Sequence, residues 1–213
     1  NYGTGFRAPS LYEISYNDSF FAFPPASEVA LDAETSEGYD LGIGYYANSG
    51  WYAELTYFDQ SVEDEIFFEN LNFSGYLQGT GDSTSEGVVV IGELLLPFSL
   101  SLNGNYTYTE SEDAEGEARL RVPEHRANLG QSFRPWDARL VVNLNLRVSH
   151  DVPDEFNGEI DNYEVVDLNA SYRILDRLEV YGRVKNLTDE DYVEVRGYNT
   201  SGAAGYAGVR YSF

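Results

Sequence analysis

The sequence contains no cysteine and no methionine, and basic residues are scarce beside acidic ones. Without cysteine, a disulfide framework and a thiolate metal site are both excluded. The chain has 13 lysines and arginines against 36 aspartates and glutamates, which gives a formal net charge of −23. This excess disfavours nucleic acid, whose phosphates need basic partners, and it disfavours docking on an anionic membrane surface through a basic patch. We therefore expect no nucleic-acid partner.

Long apolar runs are also missing. No stretch of 18 apolar residues is present, so no transmembrane helix is expected, and no basic segment precedes an apolar one as in a signal peptide. The chain begins at Asn1 rather than at methionine, so we expect a processed chain or a piece of a longer one. A disordered acidic chain is excluded by the 18 tyrosines, 12 phenylalanines and two tryptophans.

What the sequence does contain is alternation with a period of two. In 139–148, Leu140, Val142, Leu144, Leu146 and Val148 fall on one face, and mostly polar residues fall on the other. The same period recurs along the chain, as expected for strands with one apolar and one polar face. It predicts an all-β protein with about ten strands, at 1–6, 36–46, 51–68, 83–94, 99–110, 123–134, 138–149, 162–174, 178–194 and 204–213.

The connections between these strands alternate in length. Short turns are predicted at 48–50, around Pro97, at 135–137 and at 176–177. Long polar segments are predicted at about 12–33, 69–82, 110–121, 150–161 and 195–203. Many of the strands are nine or more residues long, which is enough to cross a bilayer when tilted.

Two architectures share this alternation. A β-sandwich buries the apolar face, whereas a membrane barrel turns that face to lipid. Aromatic residues near the strand ends, uninterrupted apolar faces and alternating loop lengths favour the barrel. We therefore predict part of an antiparallel transmembrane β-barrel, with short periplasmic turns and long extracellular loops.

Five segments carry a resemblance to a known family. They are YGTGFRAPSLYE (2–13), ETSEGYDLGI (34–43), RLRVPEHRANL (119–129), VKNLTDEDY (184–192) and GVRYSF (208–213). Each segment is similar to one found in the TonB-dependent outer-membrane receptors, in the same order. Residues 31–33 read Leu-Asp-Ala where the family usually has Leu-Lys-Pro, and Thr188 replaces a common phenylalanine. The subgroup nearest in appearance is the vitamin B12 (cobalamin) receptors, on the stretches PEHRANL, NYTYTES and YNT.

The resemblance implies a location and a set of partners. It implies a receptor of the bacterial outer membrane, embedded in lipid and lipopolysaccharide, that imports a small organometallic nutrient. Cobalamin is the first candidate and a ferric siderophore the second. Members of this family have a 22-stranded barrel with an N-terminal plug and a TonB box. Nothing in 1–213 looks like the plug or the TonB box. We therefore expect a single C-terminal barrel region, with TonB contacted through the missing N-terminal part. Its ten strands would either join missing partner strands or close into a small barrel.

The resemblance also implies a role for the C-terminus. The last strand of such a barrel is read by the barrel-assembly machinery through a C-terminal aromatic, an aromatic two residues earlier and a glycine farther back. Those positions are Phe213, Tyr211 and Gly208. An unpaired strand can dock on an assembly factor by β-augmentation. The alternative is that Phe213 only ends a strand at the lipid interface.

The residues that bear on other chemistry are few. Acidic residues crowd together at two places and are weak candidates for Ca²⁺: Asp59, Glu63, Asp64, Glu65, Glu110, Glu112 and Asp113. Ser149, His150 and Asp151 contain hydrolase side chains, but neighbours on a strand point to opposite faces and cannot form a catalytic relay. No catalytic residue and no organic cofactor are therefore predicted. His125 is expected to face the lumen.

A set of polar residues on the strands is expected to line the lumen: Asn103, Asn105, Asn143, Asn145, Arg147, Asp167, Asn169, Arg173, Arg183 and Lys185. Two functions compete with the receptor. One is a passive small porin or structural barrel, and the other is a barrel-embedded hydrolase that uses His150.

Overall fold

The structure is a computed structural model of the chain, and it describes residues 1–69, 71–154 and 158–213. The strands in these ranges are β1 (Tyr2–Arg7), β2 (Glu34–Tyr46), β3 (Tyr52–Glu63), β4 (Ile66–Phe68), β5 (Tyr76–Gln78), β6 (Asp82–Leu96), β7 (Leu100–Glu112), β8 (His125–Phe133), β9 (Leu140–His150), β10 (Val152–Asp154), β11 (Gly158–Ile160), β12 (Tyr163–Leu175), β13 (Leu178–Lys185) and β14 (Ala204–Tyr211). The helical segments are α1 (Leu11–Asn17), a 3₁₀ turn (Ala26–Glu28) and α2 (Pro135–Ala138). None of the helices described is long and apolar enough to cross a membrane.

Ten of these strands form one sheet, in the order β1-β2-β3-β6-β7-β8-β9-β12-β13-β14. Strands that follow one another along the chain are neighbours in it, apart from two short hairpins, β4–β5 and β10–β11, that lie outside the sheet. The prediction of about ten strands in antiparallel order is confirmed, and so is the alternation of short and long connections.

Two predicted strands are too long. The strand predicted at 51–68 ends at Glu63, where Asp64 takes a left-handed backbone conformation with φ of 58°, and the chain continues into the separate hairpin of β4 and β5. The strand predicted at 178–194 ends at Lys185, because Asn186 is left-handed with φ of 48°. A left-handed residue cannot continue a strand. Asn70 and residues 155–157, in two predicted long loops, lie outside the described residues.

The chain divides into two compact units. The first contains Asn1–Leu41, Tyr57–Gly87 and Glu110–Arg119, and so holds β1, α1 and the β4–β5 hairpin. The second contains Gly42–Thr56, Val88–Thr109 and Leu120–Phe213, and so holds β8, β9 and β12–β14 entire. Each unit is described separately below.

In the second unit the strand register sorts the side chains into an apolar and a polar face. Leu144 of β9 lies opposite Leu168 of β12, which lies opposite Val184 of β13. One residue along, Asn145 lies opposite Asp167. Since the side-chain period of a strand is two, these pairs fix two chemically distinct faces.

The apolar face of the second unit does not enclose a dry core. Leu144 keeps 37% of its surface exposed, and Leu140, Leu168 and Val180 are not buried either. The buried apolar side chains among the described residues are instead small in number: Ala26, Ile66, Val152, Ile160, Tyr163 and Val165. A β-sandwich of this size would bury such a face. The apolar face is therefore suited to lipid, as the barrel interpretation predicts.

Aromatic rings cluster where the short turn joins β2 to β3. Tyr45 lies 5.1 Å from Trp51, and Tyr46 stacks on Tyr52 at 5.6 Å between ring centroids. Tyr45 and Tyr46 are exposed and Trp51 is 38% exposed. Amphipathic rings of this kind are typical of the membrane–water interface.

Candidate functional site

Two of the long connections of the first unit contain secondary structure, namely helix α1 and strand β5. Helix α1 packs on the β4–β5 hairpin through a cluster of aromatic rings, which we call the aromatic cluster: Tyr12, Tyr16, Phe68, Phe73 and Tyr76. Tyr16 contacts Phe68 and Tyr76 at centroid distances of 5.6 and 5.8 Å, both edge to face. Phe68 and Tyr76 are 5.2 Å apart. Such pairs contribute about 0.5–1.5 kcal/mol each beyond burial of their area.

A buried asparagine fixes the helix to the hairpin. Asn17, only 7% exposed, donates from Nδ2 to the carbonyl of Tyr76 at 2.8 Å and accepts from the Tyr76 N–H at 2.8 Å. The amide thus pairs with the backbone of β5 as a neighbouring strand would. These two hydrogen bonds help to set the position and orientation of α1 against the hairpin.

A second link joins α1 to the end of β1 and the start of β2. The Arg7 guanidinium donates from Nε and Nη2 to the two carboxylate oxygens of Glu34, at 2.6 and 2.7 Å, and from Nη1 to Glu13 at 3.0 Å. Glu34 also accepts from the N–H of Ile66 at 2.6 Å. One arginine therefore connects a strand end, the helix and, through Glu34, the hairpin.

Glu13 completes the start of α1. Its N–H donates to the Ser10 hydroxyl at 3.2 Å, and its carboxylate accepts from the Ser10 N–H, which forms a capping box. Burial opposes ionisation of Glu13, but the Ser10 N–H and the Arg7 guanidinium outweigh it and hold the pKa of this carboxyl below its usual value. These contacts give the segment FRAPSLYE a physical role: it places arginine, cap and glutamate at the spacing this link needs.

Apolar side chains stay exposed on the same connections. Phe20 is 98% exposed and Leu71 is 89% exposed, and Leu11, Phe21 and Phe73 are also exposed. We call these five residues the exposed apolar tip. Near Leu71, the Glu69 carboxylate accepts from the N–H groups of Leu71, Asn72 and Ser74. Hydrogen bonding, with the Asn72 N–H the main contributor, holds the pKa of Glu69 below its usual value. The exposed apolar tip is therefore a candidate binding surface.

Sequence reasoning missed this arrangement. Residues 12–33 and 69–82 are predicted from the sequence only as long polar segments, and neither helix α1 nor strand β5 is predicted within them. The pattern Ser10-x-x-Glu13 is a capping-box signature and signals the start of α1. Phe20, Phe21 and Phe23 within a supposedly polar loop also signal a surface with a function.

The residues predicted to line the lumen in the second unit share the polar face. The register places Asn105 opposite Asn128, Asn143 opposite Asn169 and Asn169 opposite Arg183. Two of the arginines are held by neighbours. Arg147 donates to Glu194 and to the Tyr192 hydroxyl, both at 3.0 Å, and the Arg183 guanidinium lies over the ring of Tyr206 at 5.0 Å.

Four of the seven predicted calcium ligands make contacts with protein groups. Asp59 accepts from the hydroxyl of Tyr39, Glu63 from that of Thr35, and Glu65 from Arg119 and Ser83. Asp113 accepts from two backbone N–H groups of its own loop. In the ranges described, no three of the predicted residues come together at metal-ligand distance. Calcium binding by Asp59, Glu63, Asp64, Glu65, Glu110, Glu112 and Asp113 stays an untested prediction.

The two histidines lie on the apolar side of the sheet. His125 is paired with Tyr108 and with His150, and it shares a face with Ala127 and Leu129, so the prediction that it faces the lumen is wrong. His150 contacts Glu164, with 2.6 Å between Nε2 and Oε1. Ser149, the neighbour of His150 on β9, is buried on the opposite face.

The predicted assembly signal lies at the end of β14. Phe213 is fully exposed and touches Tyr211, with 5.3 Å between ring centroids. A Cβ at Gly208 would clash with the ring of Tyr181, which lies opposite it in the ladder. The Arg210 guanidinium also lies over that ring, 5.7 Å from its centroid. Gly208 thus leaves the space that Tyr181 occupies.

These observations define a class of protein: part of an antiparallel transmembrane β-barrel with short periplasmic turns and long extracellular loops. Comparison with known proteins identifies the family. The family model for the β-barrel of TonB-dependent receptor-like proteins matches residues 1–187, and the chain belongs to this family. It is a family of outer-membrane receptors and transporters rather than of enzymes, and the chain lies in the outer membrane.

Several relatives share the whole of this chain. The vitamin B12 transporter of Vibrio cholerae is 25% identical to this chain over 222 residues. That of Photobacterium profundum is 28% identical to it over 224 residues. Each match covers 100% of this chain but only 34% or 35% of the relative, so the chain spans about a third of their length.

Solved structures of the same fold include two receptors of Pseudomonas aeruginosa. The ferric enterobactin receptor has a TM-score of 0.76 and the ferripyoverdine receptor has one of 0.75, each at 19% identity. Both matches cover 100% of this chain, and 37% and 30% of the receptors respectively.

Proposed function

We propose that the chain is the C-terminal part of the barrel of a receptor that imports a scarce nutrient, with cobalamin as the first candidate and a ferric siderophore as the second. The rest of the receptor would supply the remaining strands, the plug and the segment that contacts TonB. The proposal is supported by the family match over 1–187 and by relatives named as vitamin B12 transporters. The observation that supports it most directly is the exposed apolar tip, which lies on extracellular connections beside the α1 helix held by Arg7 and Asn17.

The apolar tip is suited to a large ligand with apolar surface. Burying a phenylalanine side chain contributes about 1.5–3 kcal/mol, so two such contacts can account for a hundredfold or more in affinity. The anchoring of α1 by Asn17 and Arg7 reduces the entropy that would be lost on binding. A ligand that contacts the exposed apolar tip would therefore lose less binding free energy to ordering of the protein.

Charge favours cobalamin over most ferric chelates. The chain has a formal charge of −23, and clefts lined by one sign of charge repel ligands of the same sign. Cyanocobalamin is neutral, whereas many ferric chelates are anionic. An anionic chelate would bind faster as added salt screens the repulsion, and the association rate of a neutral ligand would barely change.

Binding to the full-length receptor tests the proposal. We expect Phe20→Ser with Phe21→Ser to weaken cyanocobalamin binding about a hundredfold in titration calorimetry, because both rings leave the tip. The matched control is Phe98→Ser, which removes a phenylalanine that is 90% exposed at the short-turn end of the sheet. Tight binding that is indifferent to the Phe20/Phe21 changes would refute the role of the tip. Binding of a ferric chelate alone would replace the first candidate with the second.

A passive porin is the second function to separate by experiment. A receptor driven by TonB shows uptake that stops when the TonB system is inactivated, whereas a porin continues to conduct. The hydrolase alternative has less support, since His150 pairs with Glu164 and Ser149 lies on the other face.

A further inference from the structure

Three side chains meet where β8 begins and β9 ends, and none of them belongs to the binding surface proposed above. Ligand atoms of Glu124, His125 and Asp151 all lie within 4.8 Å of one another. Throughout the residues described, this is the one group of three histidine or carboxylate side chains so arranged. It lies on the second unit at the loop end of the strands, away from the short turns.

The backbone around this group is fixed on both strands. The N–H of Glu124 donates to the carbonyl of Asp151 at 3.0 Å, and Thr109 on β7 donates to the carbonyl of Glu124 at 2.9 Å. Asp151 has a φ of 53°, and its N–H donates to the side chain of Asn162 at 2.8 Å. Non-glycine residues in the left-handed region persist when surrounding contacts determine them. The two carboxylates are thus presented from anchored positions.

The imidazole of His125 is oriented by aromatic neighbours. Its Nδ1 lies 2.7 Å from the hydroxyl of Tyr106, and its ring stacks on Tyr106 and contacts Tyr108 at 5.3 Å. The other nitrogen, Nε2, lies 3.8 Å from Oδ2 of Asp151. A metal-bound histidine usually has its second nitrogen held by a hydrogen bond in this way, which leaves the free nitrogen for the ion.

The distances fit ligands around an ion better than a direct contact. A separation of 3.8 Å is too long for a hydrogen bond between Nε2 and Oδ2. Two ligands held at 2.0–2.2 Å by a tetrahedral zinc ion are roughly 3.4 Å apart. Small side-chain movements would therefore bring one nitrogen and two carboxylates around one ion.

We propose that Glu124, His125 and Asp151 bind a divalent transition-metal ion, with Zn²⁺ as the representative. One imidazole and two carboxylates are a ligand set that zinc accepts, whereas calcium takes oxygen ligands alone. The ion would clamp the start of β8 to the end of β9, with water completing its coordination. The site differs from the acidic clusters that the sequence singled out, and it does not depend on which nutrient the receptor carries.

A neighbouring histidine provides the matched control. His150 lies directly opposite His125 in the ladder, but its Nε2 already contacts Glu164 at 2.6 Å. A nitrogen engaged in this way is not free to bind an ion. Comparing His125 with His150 therefore tests whether zinc binding needs His125 in particular or only a histidine at the loop end of the sheet.

The experiment is titration of the purified receptor in detergent micelles with Zn²⁺ alone. We expect a single site with a micromolar dissociation constant that His125→Ala or Asp151→Asn weakens more than tenfold, while His150→Ala leaves it unchanged. Tyr106→Phe, which removes only the orienting hydroxyl, should weaken binding about tenfold. X-ray absorption of the zinc-loaded protein should show one nitrogen and oxygen ligands at about 2.0–2.2 Å.

Several results would overturn the proposal. One is binding no tighter than about 1 mM, which is the level of adventitious surface contact. Another is micromolar binding that survives both His125→Ala and Asp151→Asn, or that is lost in His150→Ala. If the variants fail to fold, a spectrum of the wild-type protein without any nitrogen ligand would decide against the site.

Discussion

Asn186 stabilises the connection between β13 and β14, and its replacement should allow that connection to unfold locally while the sheet stays folded. The side chain is 3% exposed. Its Nδ2 donates to the carbonyls of Glu190 at 2.8 Å and Ser201 at 3.3 Å, and its Oδ1 accepts from the Glu190 N–H at 2.8 Å. The residue also has a φ of 48°, which asparagine tolerates better than alanine.

The size of the effect follows from these contacts. Each of the three bonds contributes about 1 kcal/mol net, and alanine in the left-handed region adds about 1 kcal/mol of strain. Asn186→Ala should therefore lower the free energy of opening the connection by about 4 kcal/mol, which is roughly a thousandfold in the opening equilibrium. Asn186→Gly loses the bonds but not the backbone preference, so it should lower that free energy by about 3 kcal/mol.

Hydrogen exchange of residues 187–203 measures this opening directly. Amides of this connection should exchange much faster in Asn186→Ala, somewhat less so in Asn186→Gly, and at the wild-type rate in the control Asn199→Ala, which changes an exposed asparagine of the same connection. Amides of β9 should not change. Exchange in Asn186→Ala within about threefold of wild type would show that the reasoning is wrong.

Three further changes test other parts of the structure. Phe213→Ala should leave the unfolding free energy in detergent within about 0.5 kcal/mol, since the ring is fully exposed, yet lower assembly into the outer membrane of cells; equal assembly would remove Phe213 from the signal. Gly208→Ala should displace the ring of Tyr181 and lower the unfolding free energy by about 1 kcal/mol, and the loss should disappear in a Tyr181→Ala background. The pKa of Glu13 is lowered in the folded protein, so its stabilising contribution is present above the ordinary value of 4.5 and is lost as pH falls through the lower folded value. Exchange of α1 amides, corrected for the intrinsic pH dependence, should therefore rise in acid, and Glu13→Gln should abolish this rise.

The strands could be predicted because their signal is local and repeated. Leu140, Val142 and Leu144 alternate with residues of the other face, and the short turns between such runs fix which strands are neighbours. A one-residue error in register would exchange the two faces, so the pattern determines register as well as strand position.

The ends of strands were predicted less well, because single backbone conformations decide them. Asp64 and Asn186 both adopt positive φ, and the residues after them continue to look apolar or alternating. In the segment that follows Asn186, Tyr192 packs on the sheet: its hydroxyl accepts from Arg147 of β9, and its ring lies 4.7 Å from that of Tyr163 of β12. Sequence pattern cannot distinguish a strand from a loop whose apolar side chains pack on the strands.

The candidate binding surface depended on contacts between distant positions. Arg7 is 27 residues from Glu34, and Asn17 is 59 residues from Tyr76. The family segment that contains Arg7 could be recognised by resemblance, but its role as a link became visible only from the distances. For His125 the sequence was sufficient. It lies two and four residues before Ala127 and Leu129 on the same strand, so the period of two already places it on the apolar face.

The register of β9 between β8 and β12 also restricts how the strands of this sheet can change in length during evolution. Leu144 and Asn145 lie on opposite faces of β9, one apolar and one polar. Deletion of a single residue from this strand would move every side chain after the deletion to the opposite face. Two residues gained or lost together preserve the assignment. Strand lengths in this lineage should accordingly vary in steps of two, while insertions of any size accumulate in the extracellular connections.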